Sequence, residues 1–142
     1  MSAVKMFGPY KQIEDAIEAG FGHILRMGDS NKKEYSFVVA LKIEGTNRSY
    51  CYTEPKTSGS RSYVELNIEL PPGLKSRAYC HKHPDTIEDA GFGSSDGGLY
   101  AEAVKNGSTS VWYMMNRFKE IRAAQTQADF PNGTVTKLKP KS

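Results

Sequence analysis

The run Tyr35-Ser36-Phe37-Val38-Val39-Ala40-Leu41-Lys42-Ile43 most limits what this chain can become. It is rich in β-branched and aromatic residues, and apolar enough to predict a central strand. Its neighbours must then be found elsewhere in the chain. Upstream, Ile13, Ala16, Ile17, Gly20, Phe21, Ile24 and Leu25 recur at spacings of three and four, which predicts a helix from about Tyr10 to Met27. Gly28-Asp29-Ser30-Asn31 ends it with turn chemistry. Downstream, Gly45-Thr46-Asn47 turns the chain into a returning strand, Arg48–Thr53. Tyr63–Ile68 alternates as another strand, stopped by Pro71-Pro72-Gly73, and Arg77–His83 reads as the next.

A loop from Pro84 to Ser94 leads to a helix over Asp96–Asn106, with Ser94 or Ser95 as N-cap. Thr109–Met115 is then a strand, Phe118–Ala124 a strand or a short helix, and Pro131-Asn132-Gly133 a turn. Helix, strands, strand-loop-helix and strand in that order imply an α+β or α/β sandwich around one mixed sheet. At 142 residues the chain suits one domain. Its core is expected over about 10–125, with 126–142 a C-terminal extension whose lysine-rich end is solvated and frayed.

Several function classes find no support. The net charge of +3 comes from scattered residues, and no aromatic interleaving accompanies the terminal lysines, so no nucleic-acid partner is expected. No run approaches the roughly 18 apolar residues of a membrane span, and Met1–Lys5 begins no signal peptide, so synthesis in the cytoplasm is expected. Cys51 and Cys80 form neither a disulfide framework nor a paired metal knuckle. Gly91, Gly93, Gly97 and Gly98 lack the order of a phosphate loop and read as turn flexibility.

The positive signal is His81-Lys82-His83, which holds two of the chain's three histidines. Strand alternation turns both imidazoles to one side and Cys80 and Lys82 to the other. Two imidazoles so placed can reach one ion at about 2.0–2.1 Å. A third ligand should come from a carboxylate brought back by the following loop. Asp96, in the first turn of the next helix, qualifies, and Glu88 and Asp89 stay open as alternatives; Asp85 is too close along the chain to fold back easily. Hydrolysis at such a centre needs a general base, for which Glu34, Glu44 and Glu65 are the candidates. His23 is expected at the surface or behind the site, and not as a ligand.

Glu34, then His81-Lys82-His83, then Asp96 resemble the JAMM motif of the JAB/MPN metalloprotease superfamily: a glutamate, a distant H-x-H, and S-x-x-D. The likeness is closer to a bacterial branch associated with polymorphic toxins. Tyr50-Cys51-Tyr52-Thr53-Glu54-Pro55, Tyr79-Cys80-His81-Lys82-His83 and Phe92-Gly93-Ser94-Ser95-Asp96 carry it, over roughly residues 10–115. The resemblance implies an α+β sandwich of cytidine-deaminase-like, MPN type. It implies Zn2+ on His81, His83 and Asp96, with Glu34 activating water for attack on an amide or isopeptide bond. It also implies a protein or peptide substrate, a cognate immunity or carrier protein, and delivery into another cell. The motif serine is Gly93 here, so the oxyanion donor would be Ser94, Ser95 or the Gly93 N–H. With that departure come two alternatives, an MPN-like interaction module without turnover and a metal-dependent side-chain amidase (deamidase).

Overall fold

The computed structural model describes residues 4–57, 70–107 and 111–141, with the side chains of Ser94 and Ser95 outside that description. The strand expected over Tyr63–Ile68, and with it Glu65, lies outside the described residues. The chain is α+β. Seven strands form one mixed sheet: β1 (Met6–Tyr10), β2 (Tyr35–Glu44), β3 (Asn47–Thr53), β4 (Leu74–Lys82), β5 (Trp112–Met115), β6 (Ile121–Ala124) and β7 (Thr134–Val135). Their order across the sheet is β1-β3-β2-β4-β5-β6-β7. Among the described residues only β4 and β5 run parallel, and the helix α2 (Ser94–Lys105) makes the crossover between them. The other helix, α1 (Ile13–Leu25), precedes β2.

The run that reads as a central strand is one: β2 lies between β3 and β4, and its residues from Tyr35 to Leu41 are all buried. Each sheet face packs one helix. Phe37, Val39, Ala78, Cys80 and Met115 meet Ile17, Phe21 and Ile24 of α1 on one side. Val38, Tyr79, Trp112 and Met114 meet Tyr100 and Ala103 of α2 on the other. The alternation in β4 therefore falls as expected, with Cys80 towards α1 and Tyr79 and His81 towards α2. Burial pushes the Cys80 thiol well up from its ordinary range, which suits an inert core residue. Glu14 and Asp15 in the first turn of α1 are where the helix dipole favours acidic groups.

Several boundaries differ from the sequence reading. β1 precedes the expected core, and its pairing with β3 is irregular between Phe7 and Tyr10, where Gly8 and Pro9 break the alternation. The first turn of α2 begins at Ser94, so Gly93 and not a serine is the N-cap, and it makes no side-chain cap bond. Gly97 and Gly98 lie inside that helix, not in a turn. Phe118–Ala124 resolves into a turn followed by the strand β6.

The lysine-rich end is not frayed. The Lys139 N–H donates to the Glu18 carboxylate at 2.8 Å, and the Lys141 N–H to the Glu18 carbonyl at 2.9 Å. Leu138 packs on the α1-side core while Lys137, Lys139 and Lys141 stay exposed. This is period-two patterning, apolar inward and lysine outward. Gly22 makes the approach possible, since a Cβ there would collide with the Lys141 carbonyl. Gly22→Ala is expected to drive residues 138–141 off α1. The roughly 1 kcal/mol gained in helix propensity would offset most of the loss. Net stability should change by less than about 1 kcal/mol, whereas tryptic cleavage after Lys137, followed by mass spectrometry, should accelerate sharply.

Candidate metal centre

The centre is assembled where β2 and β4 run side by side. Tyr35 pairs with Lys82 and Ser36 with His81. Extending that register by one residue sets Glu34 opposite His83. The turn before Glu34 is pinned to the end of β4: the buried Lys82 ammonium donates to the Ser30 carbonyl at 2.8 Å and to the His83 carbonyl at 3.0 Å. The Asp85 N–H donates to the Asn31 carbonyl at 2.8 Å. Burial lowers the Lys82 pKa, and Asp85, 3.6 Å away, opposes the shift. Lys82 thus points away from the histidines, as expected, but acts as a tether between the two strands' ends.

Beyond β4, the His83 N–H continues the parallel ladder by donating to the Met115 carbonyl at 3.1 Å. The loop that follows is braced by Asn116, whose amide donates to the Ala90 carbonyl at 2.9 Å. It returns Phe92 against the edge of the His81 ring, centroids 5.7 Å apart, and starts α2 at Ser94, two residues before Asp96.

Three donor atoms converge. His81 Nε2 and His83 Nε2 are 3.1 Å apart, and Asp96 Oδ2 is 3.3 Å from each. Three corners of a tetrahedron around zinc, at about 2.0–2.1 Å from the ion, would be separated by about 3.3–3.4 Å. The spacing fits. All three residues are buried, and nothing in ordinary packing calls for two imidazoles and a carboxylate at mutual contact. Burial opposes ionisation of Asp96, but the charge and hydrogen bonds of His81 and His83 together outweigh it, holding the carboxyl well below the usual range. An anionic oxygen and two imidazoles form a donor set that zinc accepts.

Glu34 stands beside the triangle, with Oε2 3.9 Å from His83 Nε2 and its side chain 22% exposed. Donor atoms of Glu34, His81 and His83 lie within 4.8 Å of one another, so this cluster could hold a metal ion as well. The shorter, equal distances favour Asp96 as the third donor and leave Glu34 at the open side.

The other candidates are elsewhere. Asp85, Glu88 and Asp89 are exposed, and Glu44 is exposed at the far end of β2, 3.7 Å from Lys42. His23 is half-buried on the α1 face, bonded to the Tyr52 hydroxyl at 3.1 Å, and so is not behind the metal cluster. The Ser94 side chain, a proposed oxyanion donor, is outside the described residues. The Gly93 N–H donates to the Pro131 carbonyl at 3.2 Å, which corrects the idea that it serves as the oxyanion donor. Sequence reasoning missed Lys82 and Asn116 as supports, because their partners are backbone carbonyls 52 and 26 residues away.

Gly93 has φ +96° and ψ 157°, a backbone conformation essentially restricted to glycine. A Cβ there would meet nothing within 4 Å, so the constraint is conformational and not steric crowding. Restoring the motif with Gly93→Ser is therefore expected to cost about 1–3 kcal/mol. It should lower the thermal midpoint without tightening zinc binding, read by calorimetry and chelator competition.

No helix among the described residues is long and apolar enough to cross a membrane. Compared with family models, with curated proteins and with solved structures, the chain matches none.

Proposed function

We propose that this chain is a zinc-dependent hydrolase of JAMM type that cleaves a peptide or isopeptide bond. The observation that carries it is the triangle of His81 Nε2, His83 Nε2 and Asp96 Oδ2 at 3.1–3.3 Å, with a carboxylate at its open side. Bound zinc supplies Lewis acidity that polarises a carbonyl and makes water acidic near neutral pH. The chain's residues do the rest. His81, His83 and Asp96 hold the ion in a buried setting, where aromatic rings keep His81 in place. Glu34 takes a proton as water oxygen adds to the carbonyl carbon, and returns it to the departing nitrogen as the C–N bond breaks. Exposure of Glu34 gives substrate a way in.

The cellular setting rests on the resemblance: a bacterial effector or toxin domain made in the cytoplasm and delivered to another cell, with an immunity or carrier protein as partner. A specific observation favours a second reading, an MPN-like interaction module without turnover: position 93 lacks the motif hydroxyl, and its N–H is engaged. Side-chain amide hydrolysis needs the same groups and is separated by the product, ammonia instead of two peptides. The test is metal content of protein purified without added zinc, followed by cleavage assays on peptide and isopeptide substrates. One zinc per chain with cleavage supports the hydrolase, one zinc without cleavage supports the module, and no zinc in excess metal rejects the hydrolase.

A further inference from the structure

β2 carries a buried hydroxyl opposite the first imidazole of the cluster. Ser36 is buried, and its Oγ has no hydrogen-bond partner among the described residues. A buried hydroxyl left unpaired costs about 1–3 kcal/mol. Its position is specific. The Ser36 N–H and carbonyl are both turned to Lys56, at 2.9 and 3.0 Å, and so away from β4. Towards β4, Ser36 and His81 therefore form the non-hydrogen-bonded kind of antiparallel pair, with Cα atoms about 4.5 Å apart and side chains at their closest. Ser36 also shares its face with Glu34, two residues before it. The hydroxyl thus lies in the wall between the general base and the first imidazole ligand.

We propose that Ser36 is a positioning residue whose hydroxyl binds the water that Glu34 activates. This rests on the metal-hydrolase reading above. In the loaded site the hydroxyl gains the hydrogen bond that no described residue gives it, and the water is fixed between Ser36 and Glu34.

The test compares wild type, Ser36→Ala and Ser36→Thr, using zinc affinity by chelator competition and the visible spectrum of the cobalt-substituted protein. Thermal midpoints of the metal-free proteins establish that each variant folds. Ser36→Ala is expected to weaken zinc binding about tenfold, the scale of losing a supporting hydrogen bond around a metal. It should also alter the cobalt spectrum, and leave the metal-free midpoint equal or higher, because an unpaired hydroxyl has been removed. Ser36→Thr, which keeps the hydroxyl, should stay near wild type. Affinity and cobalt spectrum unchanged in Ser36→Ala, or a loss in Ser36→Thr as large as in alanine, would overturn the role of Ser36 alone. A wild-type protein that binds no zinc would overturn the metal reading with it.

Discussion

His81→Ala is expected to remove stoichiometric zinc from the protein, with an affinity loss well beyond the roughly 10–100-fold that follows from losing an outer hydrogen bond. His81 is fully buried and contributes one corner of the donor triangle, 3.1 Å from His83 and 3.3 Å from Asp96. Alanine leaves two of the triangle's three donors, and Glu34, 3.9 Å from His83, offers a carboxylate in place of the lost imidazole nitrogen, a weaker set for zinc. The measurement is metal content by mass spectrometry after dialysis, beside chelator competition. Full zinc occupancy in the variant would remove the triangle as the metal centre. Loss of fold is checked by circular dichroism, because the His81 ring also packs among Tyr79, Phe92 and Trp112.

Glu34→Gln is expected to leave zinc bound while lowering turnover about 10²–10⁴-fold, the contribution of a positioned general base. The amide keeps the shape of the side chain but cannot take a proton from water. Glu34 is partly exposed and 3.9 Å from His83, beyond the three donors at 3.3 Å or less, so the triangle survives its change. Retained zinc with lost cleavage identifies Glu34 as the base. Lost zinc would instead make Glu34 a ligand, the alternative that its place in the cluster with His81 and His83 allows. Unchanged cleavage would exclude Glu34 from the chemistry. If the chain is toxic when expressed, the same variant separates enzymatic from binding toxicity, since a binding effect does not depend on this proton transfer.

How much of this was legible depended on the range of each interaction. The amphipathic stripe of α1 and the central character of β2 follow from side-chain periodicity within each segment, and both were read correctly. β1 was not, because Gly8 and Pro9 interrupt the pattern and its pairing is irregular there. The tail was misread because lysine content outweighed the alternation of Leu138 and Pro140 with the lysines. Its docking also needs a gap on α1 that only Gly22 leaves. Local sequence leaves the Gly93 N–H free to act as a donor, whereas it is bonded to Pro131, thirty-eight positions along the chain.

Sequence alone determined that His81 and His83 share one side of a strand and that Cys80 and Lys82 take the other, because a strand's pleat repeats every two residues whatever surrounds it. It also determined that a long apolar run must sit inside the sheet. Only the tertiary structure decided that Asp96 closes the triangle while Asp85, Glu88 and Asp89 stay in solvent. It also set Glu34 opposite His83 and placed Ser36 opposite His81. Those outcomes turn on strand register and on the path of a loop braced by Asn116. Both are fixed by contacts between segments far apart in the chain, and local periodicity carries no record of them.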